Sequence, residues 1–557
     1  MQKTNFRIWI LFLLIAFAFT TIIGRLFYLQ VIRHDFFEKK SKQQHQRIIT
    51  INPNRGNIVD RKGQILATTL PGYSIYLDTY QIKNVSETAA RLTQALGPLS
   101  PHLFDRQTHF VWVKRKVAPD VKEQLKDVPG VYFMEDTKRL YPFGHSGGQI
   151  MGFVNVDDEG LSGIEYAFNQ QLNGKAGKIV IETDPTGEPI FSFNQRGNNA
   201  KTGKTVKLTI DHVVQSIAEI NLQTMVDRVQ ADSGLAIVMD LKDGSILGMA
   251  NYPYFDPNAY SQYRSADIFQ NKGVSMVFEP GSVMKLFTVA AAIEEKQINL
   301  NDRIYVPSQL VVQGTIIEEA HNEGSGYKSA LEILAKSLNV GAAKIGLMLG
   351  PQKLHHYLSQ LEFGKRTGMG IGGESSGILW PSKMWRQVDL SRISFGYSVS
   401  VTPIQLLKAI SVFGNDGVLV DPYIVDDGTN HQKHKARVFS PQTVKVMKEA
   451  MINIVENGTG EQTQIKGFSI GGKTGTARRF VQEANGYVLG SYNTSFLGLF
   501  PVSEPRFAMI VIVTNPRTTI YASQTAVPCF KGIAQQMLRY YQIKPDALPT
   551  KDVKVRT

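Results

Sequence analysis

The sequence predicts an α+β protein: an antiparallel sheet packed against helices in the C-terminal part of the chain, preceded by an elongated α+β module and one N-terminal transmembrane helix. Three observations carry that prediction. Two β-hairpin patterns, one opening and one closing the C-terminal part, enclose a long helical stretch. A polar segment, "RGNNAKTGKTVKLTIDHVVQ", separates modest apolar runs before it from strong ones after it. An apolar run without a charge fills residues 8–23.

In chain order, that run continues past Gly24 and Arg25 into "LFYLQVI", so residues 8–32 are long enough to cross a hydrocarbon core of roughly 30 Å. No Ala-x-Ala-type cleavage site follows, which predicts an uncleaved anchor. Lys3 and Arg7 precede it while Arg33, Lys39, Lys40 and Lys42 follow, so charge counting leaves its direction open. Next, "INPNRGNIVDRKGQILATT" reads as short strands with turns at Asn54-Arg55-Gly56 and Arg61-Lys62-Gly63. Strands and helices mix from there to about Val206. An amphipathic helical pattern begins at Asp211, and "GLAIVMDLKDGSILGMA" is two apolar runs joined by a Lys242-Asp243-Gly244-Ser245 turn. The segment "SFLGLFPVSEPRFAMIVIVTN" repeats that logic near the C-terminus. The predicted boundaries are 1–34 for tail and anchor, 35–206 for the module and 207–557 for the C-terminal domain.

At 557 residues, 43% hydrophobic and 20% charged, the chain exceeds one ordinary core and fits two or three globular domains. Its net charge of +13 would suit an anionic surface, yet Lys and Arg are spread along the whole length with no basic motif interleaved with aromatics. Nucleic acid is therefore not an expected partner. Cys529 is the single cysteine, which excludes an intrachain disulfide and leaves no zinc cluster. The eleven histidines show no His-Glu-x-x-His spacing, so no metal or other cofactor is implied.

The stretch "FEPGSVMKLFTVAAAIEE" places Ser282 and Lys285 at the start of an apolar helix, and residues three apart share one helix face. The helix dipole and apolar burial both disfavour the ammonium form of Lys285, leaving a neutral amine that can act as a base. Capping by Ser282 and snorkelling by Lys285 are the bland alternative. A second Ser-x-x-Lys, Ser325 to Lys328, leaves the choice between the two copies to the rest of the sequence. "GHSGG" at 144–148 fits a serine-hydrolase elbow, but "DTKRLYPF" before it is no buried strand. "GFSIGGKT" at 467–474 fits a phosphate loop, but "ENGTGEQTQIK" before it cannot form the strand that loop requires. Read as a strand, Lys473-Thr474-Gly475-Thr476 instead forms a groove edge with a cation and two hydroxyls for a carboxylate, and Gly475 lets a substrate backbone approach. Another Lys-Thr-Gly, at 201–203, reads as a turn. In "AKSLNVGAAKIG", Ser337 and Asn339 can relay a proton and hold a peptide carbonyl, or simply cap the following helix.

Ser-x-x-Lys, Ser-x-Asn and Lys-Thr-Gly-Thr in this order resemble the signature of penicillin-binding proteins and β-lactamases. "RGNIVDRKG", "RLYPFG" and "NVDDEGLSGIEYAFNQQLNG" are similar to blocks of the non-catalytic pedestal of class B penicillin-binding proteins. "FEPGSVMKLFT", "SFGYSVSVTPIQL", "GGKTGTARR" and "PRFAMIVIVTNP" resemble blocks of their transpeptidase domain, with the strongest likeness to the septal, division-specific branch. Departures are Gln149 where histidine is usual, Ser398 where glycine is common, Ala522-Ser523 where glycines are frequent, and Cys529 in place of an aliphatic residue.

The resemblance implies a D,D-transpeptidase that cross-links peptidoglycan stem peptides ending in two D-alanines and is trapped by β-lactams. It implies Ser282 as nucleophile, Lys285 as general base, and Ser337 with Lys473 as proton relay to the leaving amine. Asn339 would hold the donor peptide, and Thr474, Gly475 and Thr476 would bind its end, with the Ser282 and Thr476 amides as oxyanion hole. It also implies an inner-membrane anchor with a cytoplasmic N-terminus and a periplasmic catalytic domain, and partnership with a polytopic glycan-polymerising glycosyltransferase and other divisome proteins. An elongation-specific transpeptidase, a carboxypeptidase or β-lactam sensor, and a division scaffold with secondary catalysis are the alternatives.

Overall fold

The computed structural model describes the backbone of residues 2–51, 53–105, 107–183, 189–190, 196–198, 200–320, 324–432, 437–481 and 486–547. The chain packs as two compact units, 1–54 with 173–203, and 55–172 with 204–557. This division differs from the sequence boundary at 206. Strand Val206–Lys207 pairs in parallel with Ile58–Val59, which ties the segment before the C-terminal domain to the start of the module.

The first unit contains helix Gln2–Phe27, whose run continues through Tyr28–Ile32. Over 5–32 it has a mean hydropathy of 2.3 in its most apolar window and none of that window is buried by protein, as a lipid-facing helix requires. The same unit holds an antiparallel sheet built on Gln46–Ile51 and Gly177–Thr183.

In the second unit, Ile65–Leu77 is the spine of a sheet and pairs antiparallel with Val111–Val117 and Val131–Leu140. Behind it lies a buried ionic knot. Arg55 Nε meets Glu165 Oε2 at 2.5 Å and Arg139 Nε meets Glu165 Oε1 at 2.7 Å, and the three side chains are at most 2% exposed. Tyr141 donates to the same carboxylate at 3.2 Å. Arg55 of "RGNIVDRKG", Arg139 of "RLYPFG" and Glu165 of "GIEYA" are thus one network, since a buried charge is tolerated only when paired.

The C-terminal domain is organised by five strands, β1 (Ser233–Asp240), β2 (Ile246–Tyr252), β3 (Gly471–Val481), β4 (Gly486–Phe500) and β5 (Phe507–Thr514), in spatial order β2-β1-β5-β4-β3 and all antiparallel. Both hairpins expected from the sequence form, β1–β2 and β4–β5, and they meet through β1 and β5 with Ser233 opposite Thr514. Every residue of β1 and β5 is buried, because helices cover both faces. Leu235, Ile237 and Met239 face a core shared with α2 (Lys285–Glu294). Ala236 and Val238 face the other side, against α1 (His212–Val229) and the C-terminal helix Ala526–Tyr540. Asp211 caps α1 by accepting from the Val213 amide, which fixes where the amphipathic pattern becomes helix.

Candidate active site

A tight turn delivers Ser282. Phe278 and Val401 exchange backbone hydrogen bonds at 3.0 and 2.9 Å, and the Gly281 amide donates to Gly396 O at 3.0 Å. Gly281 has φ +57° and Gly396 φ +88°, and a Cβ on Gly396 would lie 2.0 Å from Gly281 O, so both positions require glycine. Glu279 braces the turn from outside, accepting from the Ser398 amide and from Tyr487 Oη, both at 2.8 Å. Ser398 itself sits at φ +60°, the region that suits the glycine common there. The chain then makes a 3₁₀ turn, Gly281–Met284, that runs into α2 with no side-chain cap. Ser282 therefore does not act as the cap, and it remains only half-buried.

Lys285 does not snorkel. Its side chain is fully buried and its amine donates to Ser337 O at 2.6 Å, Ser337 Oγ at 3.3 Å and Asn339 Oδ1 at 2.8 Å. Burial, followed by the neighbouring Lys473 charge, holds it well below the ordinary lysine range, while Glu319 pulls in the opposite direction. Among the described residues no hydrogen bond joins it to Ser282; the i, i+3 spacing brings the pair to one turn, and the Ser-x-Asn segment takes the amine's donors. Lys473 is also fully buried, on β3, and desolvation pushes it down to about 7. Its amine lies 3.2 Å from Thr474 O. Two buried amines, both shifted down from the ordinary lysine range and Lys473 to about 7, are an arrangement for moving protons near neutral pH.

Ser337 and Asn339 join helices α3 (Ala330–Ala335) and α4 (Asn339–Leu349). Neither caps α4, whose N-cap residue Leu338 provides no side-chain acceptor. Ser337 adopts φ +60°, a sparsely populated conformation for serine that turns its carbonyl and hydroxyl toward Lys285. The α4 cap is Glu319, whose carboxylate accepts from the amides of Asn339 and of Val340, the latter at 2.9 Å. Sequence reasoning missed Glu319, because nothing local marks it within "IIEEAHNEGSG".

On β3, Thr474 Oγ1 lies 2.6 Å from Thr459 Oγ1, a second partner without a sequence signal, and Thr476 is half-buried opposite Thr494. Gly475 also has a packing reason: a Cβ there would fall 2.4 Å from Ser495 Oγ on β4, 3.0 Å from Val283 Cγ2 and 3.2 Å from Pro280 O, so β4 and the protein's own Ser282 turn occupy that space.

The competing motifs lie elsewhere. Ser325 is exposed and Lys328 belongs to strand Gly326–Ser329. Ser146 Oγ and the Gly147 amide both donate to Glu219, each at 2.7 Å, with no strand leading into the serine. The phosphate-loop match runs into β3, whereas that loop must open a helix. Lys201 pairs by its backbone with Lys175. Gln149 donates its amide to Pro253 O and Ile268 O at 3.0 and 3.1 Å, and Cys529 is buried with its thiol pushed up to about 12.

Residues 234–535 match the family described as penicillin binding protein transpeptidase domain, and residues 50–208 the penicillin-binding protein dimerisation domain. Stage V sporulation protein D of Bacillus subtilis (strain 168) is 32% identical over 95% of this chain and 84% of its own length. Peptidoglycan D,D-transpeptidase FtsI of Escherichia coli (strain K12) is 29% identical over 99% of this chain and 95% of its own. In structure, a peptidoglycan synthetase from Bifidobacterium adolescentis is similar with a TM-score of 0.71 and 26% identity, covering 91% of this chain and 98% of that one. Penicillin binding protein 2X from Streptococcus thermophilus shares the fold, with a TM-score of 0.71 at 23% identity over 89% of this chain and 80% of that one.

Proposed function

The chain belongs to the class B penicillin-binding proteins, and on that premise we propose that it is a membrane-anchored peptidoglycan D,D-transpeptidase working through a serine acyl-enzyme. The observation that carries the reading is the buried Lys285 amine, held by Ser337 and Asn339 one helical turn from Ser282 and beside a second buried lysine, Lys473. Ser282 attacks the carbonyl between two terminal D-alanines while neutral Lys285 takes its proton. Ser337, with Lys473 behind it, passes a proton to the departing D-alanine amine. Asn339 aligns the donor peptide, and Lys473, Thr474 and Thr476 hold its terminal carboxylate. The amides of Ser282 and Thr476 receive the oxyanion, each donor contributing about 3 kcal/mol to transition-state stabilisation. An amine of a second stem peptide then resolves the acyl-enzyme, and β-lactams trap the enzyme by acylating Ser282 themselves, the ring C–N bond breaking while the leaving amine stays attached to the acyl group.

The reading extends to place and role. The helix at 5–32 is a single span, with the N-terminus cytoplasmic and the catalytic domain periplasmic. Segment 35–206 acts as the pedestal and 207–557 as the catalytic domain. Septal wall synthesis, alongside a glycan-polymerising glycosyltransferase and other division proteins, is supported by the relatives named FtsI.

Labelling with a fluorescent penicillin, followed by mapping of the modified residue, tests the chemistry. Ser282→Ala should abolish labelling with a nearly unchanged melting temperature, Ser325→Ala should label normally, and Lys285→Ala should acylate orders of magnitude more slowly. A label on Ser146 or Ser325, or wild-type acylation of Ser282→Ala, would overturn the assignment. Accumulation of a fluorescent fusion along the lateral wall, with none at division sites, would refute the septal role.

A further inference from the structure

The segment that presents Ser337 and Asn339 is held from outside its own two helices. Helix α3 ends with the Ser337 and Leu338 amides donating back to Leu334 O and Ile333 O, which starts the turn. The turn then passes through the left-handed conformation at Ser337, and α4 begins with no cap from Leu338. Both requirements, a held turn and an acceptor for the first free amides of α4, are met by one hairpin, Gln309–Val312 paired with Thr315–Glu318. Its last residue gives Glu318 O to Asn339 Nδ2 at 3.2 Å, and the next gives the Glu319 carboxylate to the Asn339 and Val340 amides. Asn339 Oδ1 is thereby left facing Lys285 Nζ at 2.8 Å. The charged groups acting on Lys285 are Lys473 from β3 and Glu319 from the hairpin end, one opposing the ammonium form and one favouring it.

We propose that Glu319 is a positioning residue for acylation: its carboxylate clamps the start of α4, so that Ser337 and Asn339 meet the Lys285 amine, and it balances the Lys473 charge at that amine. The proposal rests on Lys285 being the base. Truncation at 319 would release the Asn339 and Val340 amides and let the strained Ser337 turn relax, and any neutral side chain there would leave the repulsion from Lys473 unopposed. The last effect has a sign. Without the carboxylate the ammonium form of Lys285 is less favoured, so the amine stays neutral to lower pH.

The test is the rate of acylation by a fluorescent penicillin as a function of pH, on the full chain in detergent, for wild type, Glu319→Ala, Glu319→Gln and Glu319→Asp. The active fraction is counted from the final labelling amplitude, so that misfolded molecules do not enter the rate. Glu319→Ala should acylate at least tenfold more slowly per active molecule, and the acidic limb of its pH–rate profile should move to lower pH. Glu319→Gln keeps the shape and one acceptor, and should show the same displacement of the limb even where the alanine variant fails to fold. Glu319→Asp restores the charge and should recover the position of the limb. Rates per active molecule within twofold of wild type for both neutral variants, with an unmoved acidic limb, would overturn the proposal and leave Glu319 a helix cap only. Lys285→Ala run in parallel separates the two readings: wild-type acylation there would sink Lys285 as base, whereas a dead Lys285→Ala beside unaffected Glu319 variants sinks only the role of Glu319.

Discussion

Replacing Lys473 with methionine should make the protein more stable and inactive at once. Lys473 is fully buried, and desolvation moves its amine from the ordinary 10.5 to about 7. Each pH unit between those values is worth about 1.4 kcal/mol, so holding a charge at this site costs about 5 kcal/mol relative to the unfolded chain. Below pH 7 the side chain is protonated in both states and the whole cost is present. Between pH 7 and 10.5 the unfolded chain holds a proton that the folded chain has released, and stability rises with pH by about 1.4 kcal/mol per unit from this residue alone. Above 10.5 both states are neutral and the cost has gone. Methionine has similar length and no charge, so Lys473→Met should gain several kcal/mol near pH 6, with the gain shrinking toward zero at pH 10.5. Loss of the Lys473 charge also relieves Lys285, which acts in the same direction. Denaturant midpoints and m-values at pH 6, 7, 8 and 9 measure the difference, and penicillin acylation, measured in parallel, should fall by orders of magnitude. A stability difference that stays constant with pH, or a variant less stable than wild type at pH 6, would refute the reasoning.

Three other outcomes follow from the geometry. Glu165→Gln leaves two guanidinium groups, on Arg55 and Arg139, without their carboxylate and should cost about 4 kcal/mol in urea unfolding, whereas replacing all three by apolar residues of similar volume should recover most of it; a loss under 1 kcal/mol would show that water enters the knot. Gly281→Ala forces a Cβ into the left-handed region, 3.1 Å from Ala477 Cβ, and should cost about 1–2 kcal/mol and slow acylation by displacing Ser282; an unchanged acylation rate would mean the turn is not what positions the serine. The purified protein should bind neither ATP nor GTP, because Gly467–Thr474 leads into a strand and not a helix; magnesium-dependent micromolar binding lost in Lys473→Ala would contradict this.

What could be read in advance followed the range of the interactions. The β1–β2 hairpin was legible because its turn and its two apolar runs are contiguous, and the Ser282–Lys285 turn because i and i+3 share a face. The partners of Lys285 were not legible from spacing, since Ser337 lies 52 residues on and reaches the amine only through a left-handed turn; resemblance to a family supplied that link. Glu319 was invisible for the same reason, as a cap is normally sought at the helix's own N-terminus and here it comes from a distant hairpin. Gly475 was legible as a position needing no Cβ, but the protein's own neighbours in that space, Ser495 on β4 and the turn at Pro280 and Val283, could not be known before the tertiary packing. Arg55, Arg139 and Glu165 stand in three separate blocks of the sequence, and only their burial together makes them one structure.

The pairing of β1 with β5 sets Ser233 against Thr514, so the central ladder of the sheet joins the first and last strands of the catalytic domain. A growing chain that has not yet delivered residue 514 holds β1 with an open edge, and the core that β1 and β5 share with α2 is unfinished. The burial that lowers Lys285 and Lys473 in the folded chain is then incomplete. On the proposed mechanism, competence for acylation waits for the strand that ends at Thr514. Until then the bare edge of β1, eight apolar-rich residues long, stands open to pairing with another chain.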